Sequence, residues 1–359
     1  MNNFKFEDYE TNIVEEIIDT LNLPIIVNNI PIKSRLCEMS NVEKKFLNGI
    51  IRKQKPKKIL EIGVAAGGSS SIILNAIKDI ENATLYSIDY STPYFRDKSK
   101  KTGYVVNEYF PHLANKWKLY TGGVSAKFIE EIGSEIDICL LDTVHANPGE
   151  ILDLLTIIPF LKKDSIIILH DTILHSYYSK NAIYNHYTNG TIFSCLKGEK
   201  YMSNEGFFKN IGNIGAVQLN DTSFNEDNIY SYFFLLTLPW TYMLNNEDIS
   251  YYEKIFYKHY SKKFFDIFFS IILFNKDLFS NMNNKENISD LKISEINNKI
   301  LNVNNKISNI DNKIYNVNKK IEKLVNNIVW WIPIKKYRDK LRNIILADQT
   351  RPDQTRREE

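Results

Sequence analysis

The chain has 359 residues, 43% hydrophobic, 13% aromatic and 25% charged, a globular composition with enough apolar content for a core; the length fits two folded units or one large domain with appendages. A formal net charge of +2 argues against a broad phosphate-binding surface and so against a nucleic-acid partner. Three cysteines (Cys37, Cys139, Cys195) are too few for a disulfide framework and fit a reducing, cytoplasmic setting; the early acidic residues speak against an export signal, and no apolar run is long enough to span a bilayer.

Residues 1–55 mix helical periodicity with a loop around Pro24 and Pro31, and VEKKFLNGIIRK (42–53) has helix spacing that ends before Pro56. Residues 56–220 alternate short apolar runs with helical patterns. KKILEIGVA reads as a strand and GGSSSIILNAIKDI as the helix after it. ATLYSIDY and WKLYTGG are further strands, then the helix SAKFIEEIG, the strand IDICLLDTVH, the helix GEILDLLTIIPFLKK, and the strands SIIILHDT and NIGAVQL. Several strands are almost continuously apolar, as strands covered by helices on both faces are. The expected fold is α/β: a doubly wound, Rossmann-like, mostly parallel sheet with helices on both faces.

Residues 221–285 are aromatic-rich and helical in pattern, a packing or lid region. From 286 to 329 the pattern changes. Apolar residues fall at Ile293, Ile296, Ile300, Val303, Ile307, Ile310, Ile314, Val317, Ile321, Leu324 and Ile328, at alternating intervals of three and four. That is a heptad repeat with Ile at every a position and mostly β-branched residues at d, which predicts a coiled coil through 293–328 and a homo-oligomer of more than two chains. Residues 330–346 pair Trp330 and Trp331 with a basic amphipathic stretch. This predicts either peripheral association with the inner face of the cytoplasmic membrane or a hydrophobic cap ending the coil. The tail 347–359 is polar and reads as disordered.

The segment Ile59–Ser70, ILEIGVAAGGSS, runs a strand through a glycine-bearing turn into a helix, where glycines admit a ligand to the backbone and a helix N-terminus offers unpaired N–H groups. Ala65 stands where a dinucleotide fingerprint requires its second glycine. Asp89 ends the second strand and is placed to accept hydrogen bonds from ribose hydroxyls, with Tyr90 beside it. Asp142 and His145 end the fourth strand; His170 and Asp171 end the fifth. Ligands of open α/β sheets bind beyond the carboxyl ends of the strands, so these four converge where chemistry is expected. The aromatics and histidines of the next segment (His175, Tyr177, Tyr178, His186) suit either stacking on a sugar or ring, or a lid.

The form E-x-G-x-x-x-G-G-S resembles motif I of class I S-adenosylmethionine (SAM) methyltransferases. The arrangement over about 35–220 resembles the catechol- and sugar-type O-methyltransferases, near the cephalosporin-hydroxylase-like and macrolide-sugar methyltransferase relatives. The resemblance implies SAM as cofactor, held by Glu61, Gly63, Ala65, Gly67, Gly68, Ser69, Asp89, Tyr90, Gly122, Ser125 and Asp142. For Ser125 a helix N-cap role is the competing reading. It implies Mg²⁺ or another divalent metal on Asp142 and Asp171, with His170 or the hydroxyl of Thr172 as third ligand where the family carries an acid or Asn. It also implies catalysis by His145, Asp142 and Asp171, with His145 as general base at its unperturbed pKa of ~6.5. By the same analogy, the acceptor is a saccharide of a bacterial surface-polysaccharide locus, of capsule or lipooligosaccharide type. The competing readings are a nucleotide-sugar oxidoreductase on the same fold and a non-catalytic coiled-coil assembly protein.

Overall fold

The computed structural model describes residues 2–3, 9–28, 30–177, 188–203, 208, 211–330 and 335–347. Two compact units divide the chain, Met1–Phe279 and Ser280–Glu359. Among the described residues no helix is long and apolar enough to cross a membrane.

The first unit is built on one sheet. Its parallel centre comprises β4 (Lys58–Ile62), β5 (Thr84–Asp89), β6 (Trp117–Thr121), β7 (Ile136–Leu141) and β8 (Leu161–His170); β1 (Asn2–Asn3), β9 (Glu199–Met202) and β10 (Ile214–Gln218) extend one edge. The order is β1-β9-β10-β8-β7-β4-β5-β6, with β10 antiparallel to β8 and to β9. β4 pairs in parallel with β5 on one side and with β7 on the other, so the winding reverses between β4 and β7. Crevices of this kind bind ligands beyond the strand ends. The fold is the doubly wound, Rossmann-like α/β sheet that the apolar strands predict.

Successive strand residues feed opposite cores. Cys139, Leu141, Ile167 and Leu169 face a cluster capped by α5 (Ser125–Ile132), α6 (Gly149–Ile157), α9 (Glu226–Phe234) and α10 (Asn246–His259). Ile138, Leu140, Ile166 and Ile168 face a second cluster under α1 (Asn12–Leu21), α2 (Asn41–Gln54), α3 (Gly68–Ala76) and α4 (Tyr104–Tyr109). With both faces dry, polar alternation disappears from the sequence.

Three elements differ from the sequence expectation. The loop predicted around Pro24 and Pro31 is a hairpin, β2 (Pro24–Val27) against β3 (Ile30–Arg35), with Pro24 first in its strand and Pro31 second in its own. The helix predicted through Lys163 stops at Ile157. Pro159 lies in a 3₁₀ turn, Ile158–Phe160, and Leu161 already belongs to β8. β9 is four residues long and its apolar signal is too short to read.

α7 (Leu174–Tyr177) and α8 (Asn189–Cys195) flank the segment 178–187. Tyr178 and His186, and the side chains of His175 and Tyr177, lie outside the described residues. α11 (Lys262–Trp330) starts in the first unit, where Phe264, Phe268 and Ile272 are buried, and carries the heptads in the second; α12 is Lys335–Ala347. Trp331, the tail 348–359 and the side chains of Ile293, Ile296, Ile300, Ile328 and Trp330 also lie outside the described residues.

Candidate active site

The turn after β4 owes its course to two glycines. Gly63 has φ +93°, and a Cβ there would stand 1.8 Å from the Asp142 carbonyl oxygen. Gly67 has φ +98° and packs on Gly103, whose Cα would lie 3.0 Å from a Cβ. Between them Ala65 is exposed in the left-handed region at φ +50°, a strained setting for a side chain. Asp142 N donates to Ile62 O at 3.0 Å, so the β4 and β7 loops are joined at the point where the winding reverses.

Several residues expected to touch a cofactor brace this turn instead. Glu61 is fully enclosed, and its carboxylate accepts the hydroxyls of Ser69, Ser70 and Ser87, each at 2.6 Å. Burial outweighs those donors and pushes its pKa up to about 7. Glu61 and the Ser69 hydroxyl therefore tie α3 to the strands and do not line the turn. Ser125 is buried and donates to Asp153 Oδ1 at 2.5 Å, while Val124 occupies the N-cap, so Ser125 is neither a cap nor a ligand-facing group. Asp89 Oδ2 accepts the amides of Val64 and Ala65, both at 2.9 Å, and Oδ1 accepts Ser91 N at 2.8 Å. Oδ1 keeps a lone pair directed elsewhere, so a ribose hydroxyl finds one acceptor there and not two. The exposed Tyr90 donates to Asp248 Oδ2 at 3.3 Å on α10, and Gly122 N donates to Asp89 O at 3.2 Å.

The four rim residues do come together. His145 Nε2 lies 3.1 Å from Asp171 Oδ2 and 3.7 Å from Asp142 Oδ1. His170 Nδ1 lies 3.4 Å from Asp142 Oδ1 and 3.5 Å from Asp171 Oδ2. Two further acids complete the cluster. Glu150, buried at the start of α6, accepts both the His145 backbone N–H at 3.0 Å and a contact from its ring Nδ1 at 3.1 Å, and also takes the Thr188 hydroxyl. Glu43 lies 3.5 Å from His170 Nε2 while closing the capping box of α2, Oε2 accepting Ser40 N at 2.6 Å. Asn213 donates to Asp171 Oδ1 at 2.7 Å. The sequence reading missed Glu43 and Glu150. The Ser40-x-x-Glu43 spacing marks a helix start, and nothing in it points to His170.

Burial alone would lower the pKa of His145, but its bond to Glu150 and the charges of Asp142, Glu150 and Asp171 raise it to about 9. The unperturbed value assumed from the sequence does not hold, because the sequence did not reveal Glu150. Burial likewise works against a charged His170, and the Asp142 and Asp171 carboxylates override it and hold it well above the ordinary value. Burial would raise Asp171; the His170 and His145 cations outweigh that and hold its carboxyl well below the usual range.

Asp142, His170 and Asp171 each offer one ligand atom, all within 4.8 Å of one another, which is the spacing of a metal site. Both His170 ring nitrogens are buried without a well-aligned hydrogen bond, and a metal would use one of them. Thr172 is the alternative third ligand from the sequence, but its hydroxyl donates to Gly212 O at 3.0 Å and leaves that role to His170. Two carboxylates and an imidazole suit Mn²⁺, Fe²⁺ or Zn²⁺ better than Mg²⁺.

Residues 60–172, which include the turn and the strand-end rim, match the family model described as a methyltransferase domain. No curated protein matches the chain. Among solved structures, it resembles the SAM-bound O-methyltransferase TomG from Streptomyces achromogenes, involved in tomaymycin synthesis (14% identity, 51% of this chain and 82% of that one, TM-score 0.38). It also resembles the SAH-bound methyltransferase PaMTH1 from Podospora anserina (16%, 51% and 80%, TM-score 0.39). A third is an O-methyltransferase from Bacillus cereus in complex with SAH (15%, 58% and 90%, TM-score 0.40). At such identities and TM-scores these likenesses do not bear on the chemistry, which the side chains themselves decide.

Proposed function

We propose that the chain is a SAM-dependent O-methyltransferase acting on a hydroxyl of a saccharide. The observation that carries this reading is the contact of Gly63 with the Asp142 backbone, which sets the glycine turn directly against the rim of acids and imidazoles. SAM, when bound, supplies a methyl group on a sulfonium. The turn Gly63–Gly67 and the N-terminus of α3 would hold it, with Asp89 Oδ1 as an acceptor for a ribose hydroxyl. Asp142 and Asp171 are acceptors for neighbouring hydroxyls of an acceptor, and His145 Nε2 lies within hydrogen-bond reach of the same Asp171 oxygen. These groups orient the attacking hydroxyl, and orientation can lower such a barrier by about 7–11 kcal/mol.

His145 carries its proton while the acids around it are unopposed. Positive charge brought beside those acids lowers its pKa toward neutrality and frees Nε2 to take the hydroxyl proton. Glu150 keeps Nδ1 protonated and Nε2 turned inward. A divalent metal, held by Asp142, Asp171 and His170, would lower the pKa of a bound hydroxyl. The saccharide class is supported by the sugar-enzyme resemblance and by a rim of acceptors suited to vicinal hydroxyls. Transfer of tritium from methyl-labelled SAM into a panel of bacterial surface glycans, with Mn²⁺ or Mg²⁺ added, tests it. Label in a glycan fraction is expected. Label in none of them, but in catechols or other small phenols, would overturn the saccharide assignment.

A further inference from the structure

Within the second unit, the described stretch of α11 from 303 to 324 presents its a and d residues as an exposed row. Ile307, Ile314 and Ile321 stand at a, and Val303, Ile310, Val317 and Leu324 at d; all are between 37% and 59% exposed. One ordinary surface helix does not leave so regular an apolar seam in water. Nor can this helix stand by itself easily: asparagine fills much of its remaining surface and is a poor helix former, so packing must supply the stability.

We propose that this seam is covered by other copies of the same chain, in a parallel bundle of three or more. Three sequence-level features choose that occupant. The seam is self-complementary, repeating every 3.5 residues without interruption, which is the period of knobs-into-holes packing between identical helices. Ile at every a with Ile or Val at most d positions favours three or four strands over two. Charge then sets the direction. The g positions Lys299, Lys306, Lys313 and Lys320 are all basic, and the e positions Asn297, Asn304, Asp311 and Asn318 are neutral or acidic. An antiparallel pair brings g against g and stacks lysine on lysine. A parallel bundle brings each g against the e of the following heptad: Lys299 and Lys313 against Asn304 and Asn318, Lys306 against Asp311, and Lys320 against the neutral Val325. The inference is independent of the methyltransferase reading.

Sedimentation equilibrium of the full chain tests it. The native chain should show a mass of three or more chains, and the double variant Ile307→Asn, Ile314→Asn the mass of one. For direction, Ile310→Cys should form disulfide-linked chains on mild oxidation, because a parallel seam sets identical d positions side by side, while Asn312→Cys on the outer f position should not. The native chain, with Cys37 and Cys139 buried, serves as the blank. A one- or two-chain mass for the native protein would overturn the proposal. Equal linking of the two cysteine variants would overturn the parallel direction. A one-chain mass with binding to anionic lipid vesicles would assign the seam to a membrane surface instead.

Discussion

His145 shows how the rim is built at the scale of single residues. Its backbone sits at φ +53° and that of Asp171 at φ +58°, conformations that cost of order 1–3 kcal/mol in a non-glycine residue and persist where the surroundings over-determine them. Glu150 provides that for His145, holding both its backbone N–H and its ring. With His145 as general base, His145→Ala should lower methyl-transfer turnover by roughly 10²–10⁴-fold and leave SAM affinity little changed. Single-turnover kinetics beside binding calorimetry checks this, and unaltered turnover would remove His145 from the chemistry. Asp153 tests the electrostatics away from the rim. Burial, against the Ser125 hydroxyl, raises its pKa to about 7. The folded chain therefore holds that proton more tightly than an unfolded chain does, at ~3.9. Its contribution favours folding at low pH and is lost as pH rises through about 7. Asp153→Asn should thus lose less thermal stability than the native protein between about pH 4 and pH 7, with Glu61 still contributing a slope of the same sign; identical profiles would contradict the assignment. Asp142, His145, His170 and Asp171 were legible as a group because all four follow apolar strands. Glu43 and Glu150 were not, because an acid within a helical pattern looks the same whether it faces water or an imidazole.

At the scale of elements, the β4–α3 turn is the part on which the rest is aligned. Gly63→Ala would combine left-handed backbone with a Cβ directed onto the Asp142 carbonyl, so the two loops must separate. A loss of about 2 kcal/mol or more in denaturant unfolding is expected, together with loss of SAM binding. Full SAM affinity in that variant would mean that the turn does not hold the cofactor. The turn was readable because its glycines and serines follow a strand. What the motif did not disclose was the division of labour. Glu61 and Ser69 share it with the glycines, yet they face inward, since a buried carboxylate needs three hydroxyls around it. The hairpin β2–β3 was obscured by its prolines, and the end of α6 by apolar residues that continue past Pro159 into β8.

Across the whole molecule, two apolar clusters on opposite faces of one sheet hold β4, β5, β7 and β8, and the glycine turn, Asp89, Asp142, His170 and Asp171 sit where those strands end. The doubly wound sheet was legible from strands with no polar alternation. The acceptor was not, because vicinal hydroxyls of many compounds present the same donors to the same acids. Calorimetric titration of the purified chain with SAM, and in parallel with NADH, tests the central claim most directly. The account predicts one SAM bound per chain, no heat from NADH, and loss of the SAM signal in Gly63→Ala. Binding of NADH with none of SAM would contradict it and return the site to a dinucleotide enzyme.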